Sequence, residues 1–168
     1  MFNFADIYWW AVVNAKDGDT IVEIDAWKGK STAFMCQIIK DTGKKINFYT
    51  IDTFKGTPNE KTLKFAGEHQ NVREIFEKNL KDLGLRDYVE VLEGDSVEMS
   101  KKIPVAYFVY LDGDHSYFKV KEEISAWKEK TKFLAGHDYN SRDVKKAVNE
   151  IFGSNVHPRG INSWLVEL

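Results

Sequence analysis

Hydrophobic positions along the chain fall into two alternating kinds: short β-branched or aromatic runs, and longer segments whose apolar residues recur at helical spacing. The short runs predict strands over 20–25, 47–52, 89–93, 107–112, 133–137 and 164–168, and the longer segments predict helices over 4–15, 30–41, 65–83, 116–130 and 141–152. Strand followed by helix, repeated, implies right-handed crossovers and an α/β fold: a doubly wound, mostly parallel sheet with helices on both faces. The last strand follows a loop containing Pro158 and Gly160 rather than a helix, which predicts a C-terminal antiparallel hairpin. The sequence shows no internal repeat or low-complexity stretch, and 168 residues suit a single domain spanning 1–168.

Composition narrows the partners. Hydrophobic residues at 43% with five Trp can build a substantial core, so disorder is excluded as an overall description. Lys+Arg 24 against Asp+Glu 26 leaves a net charge of -2 without a basic stripe, so nothing points to nucleic acid. The single Cys36, in "AFMCQII", reads as a buried small hydrophobe and fits a reducing, cytoplasmic setting. No apolar run approaches the roughly 20 residues that span a bilayer, and "MFNFADIYWWAVVNAK" lacks the basic region and cleavage site of a signal peptide. Its "IYWW" run reads as packing or subunit interface, compatible with a homo-oligomer.

The polar residues that interrupt the pattern carry the chemistry. Nearly every strand ends in a carboxylate: "VEID", "YTID", "LEGD", "YLDGD" and "GHD". In an open parallel sheet, ligands bind outside the carboxyl ends of the strands, so these acids converge on one rim. Single acids of this kind also cap the next helix, as Asp and Ser commonly do. "IVEIDAWKGKST" reads as strand, turn with Gly29, then helix, the arrangement that holds nucleotide-type cofactors, with Asp25 where such a turn most favours glycine. Asp52, at the end of the second strand, stands where a carboxylate accepts from both ribose hydroxyls.

Taken in order, "VEIDAWKGKST", "IDTFKG", "LEGDS", "YLDGDHSY" and "LAGHDYN" resemble the class I S-adenosylmethionine-dependent methyltransferases, which have a Rossmann-like fold. More narrowly, they resemble the metal-dependent O-methyltransferases that modify hydroxyls of sugars and antibiotics. The resemblance implies that Glu23 and the turn from Asp25 through Gly29 to Ser31 face the methionine end of S-adenosylmethionine. It further implies that Asp52 holds the ribose, Phe54 packs by the adenine, and Asp95 and Ser96 lie near the adenine ring. Two departures stand out: Asp25 replaces the first glycine of "E-x-G", and the turn usual before the fifth strand is shortened to "EKTKFLAGHDY".

The resemblance also implies a divalent ion such as Mg²⁺, held by Asp112 with the pair His137 and Asp138, where the family commonly has two acids or Asp-Asn. An ion there would acidify the hydroxyl of a small-molecule acceptor. His115 or Asp114 then takes the proton, His115 being favoured because a free imidazole titrates nearer neutrality. Helix capping is the competing role for Asp114 and His115, and for His137 and Asp138. His157 and His69 read as ordinary surface residues, and "TFKGTPNEKTLKFAGEH" as either an active-site lid or a solvated loop. Two other functions fit the same residues: a catalytically silent cofactor-binding protein disabled by Asp25, and a metal-dependent hydrolase using Asp112, Asp114, His115 and Asp138.

Overall fold

The computed structural model describes residues 4–56 and 71–168. The expected helical residues 65–70, His69 and most of the polar connection after the second strand lie outside the described residues.

The elements run α1 (Ala5–Asn14), β1 (Thr20–Ile24), α2 (Lys30–Thr42), β2 (Asn47–Asp52), α3 (Val72–Asp82), β3 (Glu90–Glu93), α4 (Ser96–Met99), β4 (Ala106–Leu111), α5 (Tyr117–Trp127), β5 (Thr131–Gly136), α6 (Arg142–Phe152), β6 (His157–Arg159) and β7 (Ser163–Glu167). They build a seven-stranded sheet in the order β3-β2-β1-β4-β5-β7-β6. The first five strands pair in parallel, and β7 runs antiparallel to both β5 and β6. The antiparallel ending is therefore present, and its outer strand, β6, is too short and too exposed to leave a hydrophobic signature.

Alternation along β1 divides the core. Ile21 packs with Tyr8, Met35, Cys36 and Phe76 on the face covered by α1, α2 and α3. Val22 and Ile24 face the other way, toward Ile124, Trp127, Val148 and Trp164. Ile7 and Tyr8 of the aromatic run are buried in the first layer, whereas Trp9 is 54% exposed. Trp10 packs edge-on against Phe133, with ring centroids 4.9 Å apart. Cys36 is fully buried and free, and burial pushes its thiol pKa up.

Two glycines are required by close packing. Gly29 precedes α2 at φ 84°, and a Cβ there would stand 2.9 Å from the Phe76 ring. Gly136 ends β5 so tightly beneath its neighbours that a Cβ would stand 2.8 Å from both the Leu111 carbonyl oxygen and the Trp164 indole. The loop that begins at His137 is thereby drawn against the end of β4, where the His137 N–H donates to the Leu111 carbonyl at 3.0 Å.

The sheet's crossovers leave in opposite directions on either side of β1 and β4, which makes the gap between these strands the topological switch point. The two loops meet directly there: Asp112 N–H donates to the Ile24 carbonyl at 3.1 Å, and Asp25 N–H to the Ile51 carbonyl at 2.8 Å. Among the described residues, no helix is long and apolar enough to cross a membrane.

Candidate active site

Two cavities open at the switch point. One, of about 170 Å³, is lined by Asp25, Asp52, Asp95, Ser96, Asp114, Glu123 and their neighbours. The other, of about 210 Å³, is lined by Asp25, Trp27, Ser31, Asp112 and adjoining residues. Asp25 and Gly113 border both, and together the cavities reach the size of a small-molecule site, roughly 300–1,000 Å³.

The turn after β1 answers how a carboxylate occupies a glycine position. Asp25 adopts φ 70°, the left-handed conformation that glycine enters freely, and Asp is among the few residues that enter it at modest cost. Trp27, at φ 48°, continues the same tight path to Gly29. Asp52 pins the turn: its Oδ2 accepts from Trp27 N–H at 2.7 Å and its Oδ1 from Phe54 N–H at 2.6 Å. A carboxylate oxygen has a second lone pair, so Asp52 retains capacity for a ligand on the cavity that it lines.

The end of β3 supplies the opposite wall. Asp95 caps α4, accepting from the N–H groups of Val97 (2.9 Å) and Glu98 (3.2 Å), and its other oxygen accepts from Lys119 Nζ at 2.6 Å. Burial opposes ionisation of Asp95, but the Lys119 ammonium and these amides hold its pKa below the ordinary carboxylate value. Ser96 donates to Glu123 Oε1 at 2.5 Å. Glu123 is 3% exposed, and burial pushes its pKa up to about 7. No motif marks Glu123, but it lies three residues from Val120 on the stripe that buries Ile124 and Trp127, an informative place for an acid.

Three residues expected at the cofactor border neither cavity. Glu23 is 1% exposed and borders neither cavity; it accepts from the hydroxyls of Tyr8 (2.9 Å), Thr32 (2.5 Å) and Thr50 (3.1 Å), tying α1, α2 and β2 beneath the turn. Burial raises its pKa, and the hydroxyl donors oppose that rise. Phe54, at φ 54°, turns into the core, 5.4 Å from the Phe76 ring, instead of toward the cavity. Gly29 is held by the same Phe76 ring and serves the turn's shape.

Beyond the cavities, the ends of β4 and β5 bring Asp112, His115, His137 and Asp138 together. Donor atoms of Asp112, His115 and Asp138 all lie within 4.8 Å of one another. His115 Nε2 is 3.0 Å from Asp138 Oδ2, while His137 Nδ1 lies 3.2 Å from that same oxygen and 3.4 Å from Asp112 Oδ1. Asp138 sits at φ 53°, and its Oδ1 accepts from Asn162 Nδ2 at 2.8 Å. Asn162, in the β6–β7 turn, also accepts at Oδ1 from Asn140 N–H at 2.8 Å, so the C-terminal hairpin holds this corner. No local pattern marks Asn162, because its partners belong to a different loop.

The electrostatics follow from these contacts. Hydrogen bonds from His115 and His137 hold the Asp138 carboxyl well below the usual carboxylate range, and the bond to Asp138 raises the His137 pKa. Burial pushes Asp112 up to about 7 against the opposing pull of the two imidazoles. Asp114 borders the first cavity, and its Oδ1 accepts from Ser116 N–H at 2.7 Å at the start of α5. Gly113 borders both cavities and a small enclosed space lined by His115, Glu123, His137 and Trp164.

A family model described as a methyltransferase domain matches residues 22–139, the segment that carries both cavities and the cluster. No curated protein matches the chain. Among solved structures, the chain is similar to the O-methyltransferase NovP at TM-score 0.77 and 18% identity, over 98% of this chain and 79% of that one. A putative rRNA methylase from Clostridium thermocellum aligns at TM-score 0.69 and 18% identity, over 99% and 97% of the two chains. The calicheamicin methyltransferase CalS11 aligns at TM-score 0.66 and 14% identity, over 97% and 76%. The chain belongs to the class I S-adenosylmethionine-dependent methyltransferases.

Proposed function

We propose that this protein methylates a hydroxyl group of a small molecule, with the cofactor in the first cavity and the acceptor in the second. The observation that carries this reading is the position of Gly113: both cavities and the Asp112–His115–Asp138 group converge on it, so cofactor, acceptor and proton acceptor adjoin.

The first cavity fits an adenosyl sulfonium. Five carboxylates line it, with Lys119 as their cationic neighbour, and this suits a positively charged nucleoside better than a pyrophosphate. Asp52 is placed to accept from ribose hydroxyls, Ser96 and Asp95 border the base, and Asp25, shared by the two cavities, is placed to accept from the methionine ammonium. S-adenosylmethionine, when bound, supplies an electrophilic methyl group.

What remains for the chain is to orient the hydroxyl and remove its proton. We assign proton removal to the Asp112 carboxylate when no ion occupies the corner, in preference to His115 and Asp114. Asp112 borders the second cavity, and its pKa of about 7 is matched to a neutral working pH. His115 stands behind it against Asp138, and Asp114 is engaged at the start of α5. Holding the hydroxyl in line with the methyl group supplies much of the remaining acceleration.

Mg²⁺ does not fit this corner. It favours a near-octahedral oxygen shell with retained waters, whereas two of the four side chains here are imidazoles.

The acceptor class rests on two supports: NovP and CalS11 are described as an O-methyltransferase and a calicheamicin methyltransferase, and the rim is acidic. An RNA acceptor, raised by the rRNA methylase, would have to dock its phosphates against that rim at net charge -2. Methyl transfer from labelled S-adenosylmethionine to a panel of sugar and phenol hydroxyls, with ribosomal RNA alongside, tests the assignment. Labelling of small hydroxyl compounds that Asp112→Asn abolishes is expected; labelling of RNA alone would overturn it.

A further inference from the structure

The resemblance to metal-dependent methyltransferases implies Mg²⁺ on oxygen donors, yet the corner formed by β4 and β5 is half imidazole. We infer that Asp112, His115 and Asp138, with His137 beside them, form a site for a borderline first-row transition ion of the Fe²⁺, Co²⁺ or Zn²⁺ class instead of Mg²⁺.

Three features support this. First, donor atoms of Asp112, His115 and Asp138 lie within 4.8 Å of one another, close enough to share one ion, and His137 Nδ1 is 3.2 Å and 3.4 Å from oxygens of Asp138 and Asp112. Second, the donors stand on rigid elements. Asp112 directly follows β4 and His137 directly follows β5, at a point where Leu111 and Gly136 pair in register and the missing Cβ of Gly136 permits the close approach.

Third, the site has outer support of the kind that orients metal ligands: Asn162 donates to Asp138 Oδ1 at 2.8 Å, leaving Oδ2 toward the histidines. The chemistry of the donors then selects the ion. Imidazole nitrogen binds zinc, iron and neighbouring metals well, while a dehydration-resistant magnesium ion gains little from it. The side chains retain between 18% and 37% exposure, so an ion can enter.

The inference rests on the methyltransferase reading only in placing the ion beside an acceptor cavity. Its test is ion selectivity, measured on the chelator-stripped full chain by calorimetry and by the visible absorption of Co²⁺, with S-adenosylhomocysteine titrated into the same preparation. The expected result is Co²⁺ and Zn²⁺ affinity at least about 100-fold above that for Mg²⁺, a Co²⁺ spectrum showing nitrogen ligation, and no displacement by excess Mg²⁺. His115→Ala should weaken Co²⁺ binding by about tenfold or more and alter the spectrum, with S-adenosylhomocysteine affinity unchanged.

Mg²⁺ binding as tightly as Co²⁺, no ion binding, or an unchanged spectrum in His115→Ala would overturn it. The wild-type selectivity decides even where the variant fails to fold. Failure of selectivity with S-adenosylhomocysteine still bound sinks the ion assignment alone, whereas loss of S-adenosylhomocysteine binding in the folded wild type sinks the methyltransferase reading.

Discussion

The Ser96 hydroxyl donates to the Glu123 carboxylate at 2.5 Å beside the first cavity, joining the end of β3 to α5. Glu123 is 3% exposed, and its pKa is raised from 4.5 to about 7. The folded state therefore binds this proton more tightly than the unfolded state, and stability falls as pH rises between those two values. The full effect is on the order of 3 kcal/mol. Urea denaturation at pH 5 and pH 8 checks it: Glu123→Gln should match the wild type at the lower pH and exceed it at the higher. Equal differences at both would show that Glu123 ionises normally.

Asn162 holds Asp138 and Asn140 with its side chain. Asn162→Ala leaves a strongly polarised carboxylate without one donor and should cost about 1–3 kcal/mol of stability. It should also reduce methyl transfer more than cofactor affinity, since the first cavity, proposed to seat the cofactor, is built from other loops. Chemical denaturation together with separate kcat and KM values measures both effects.

Gly29→Ala adds a methyl group at φ 84° that would meet the Phe76 ring. Left-handed strain and the clash together should cost about 1–3 kcal/mol. Phe76→Leu in the same chain should recover the steric share but not the backbone share, which a double-mutant cycle resolves.

Asp25→Gly relieves a left-handed non-glycine residue and removes a carboxylate shared by the two cavities. If Asp25 accepts from the ammonium of the methionine end, S-adenosylhomocysteine binding should weaken by about tenfold, roughly 1.4 kcal/mol, while the fold becomes no less stable. Tighter binding would identify the side chain as an obstruction.

Much of the architecture was legible because strand and helix periods differ, so β2 appears at its expected bounds and the other long elements within a few residues, apart from the start of α3, expected at 65 and found at Val72. α4 and β6 were not, since four and three residues are too few to display a period. At the site, the acids at strand ends were readable, but their directions were less so. Glu23 shares a face with Ile21, and alternation alone aims it at Tyr8 beneath the turn. Phe54 was placed by a backbone reversal at φ 54°, and Asn162 and Glu123 joined the site through contacts made only on folding.

The acid-lined cavity at the switch point is proposed to seat an adenosyl cofactor. Calorimetric titration with S-adenosylhomocysteine tests it most directly, on the wild type and on Asp52→Asn. One-to-one binding in the micromolar range is expected for the wild type, weakened about tenfold or more in Asp52→Asn. No binding heat at millimolar ligand, with the protein folded by circular dichroism, would contradict it.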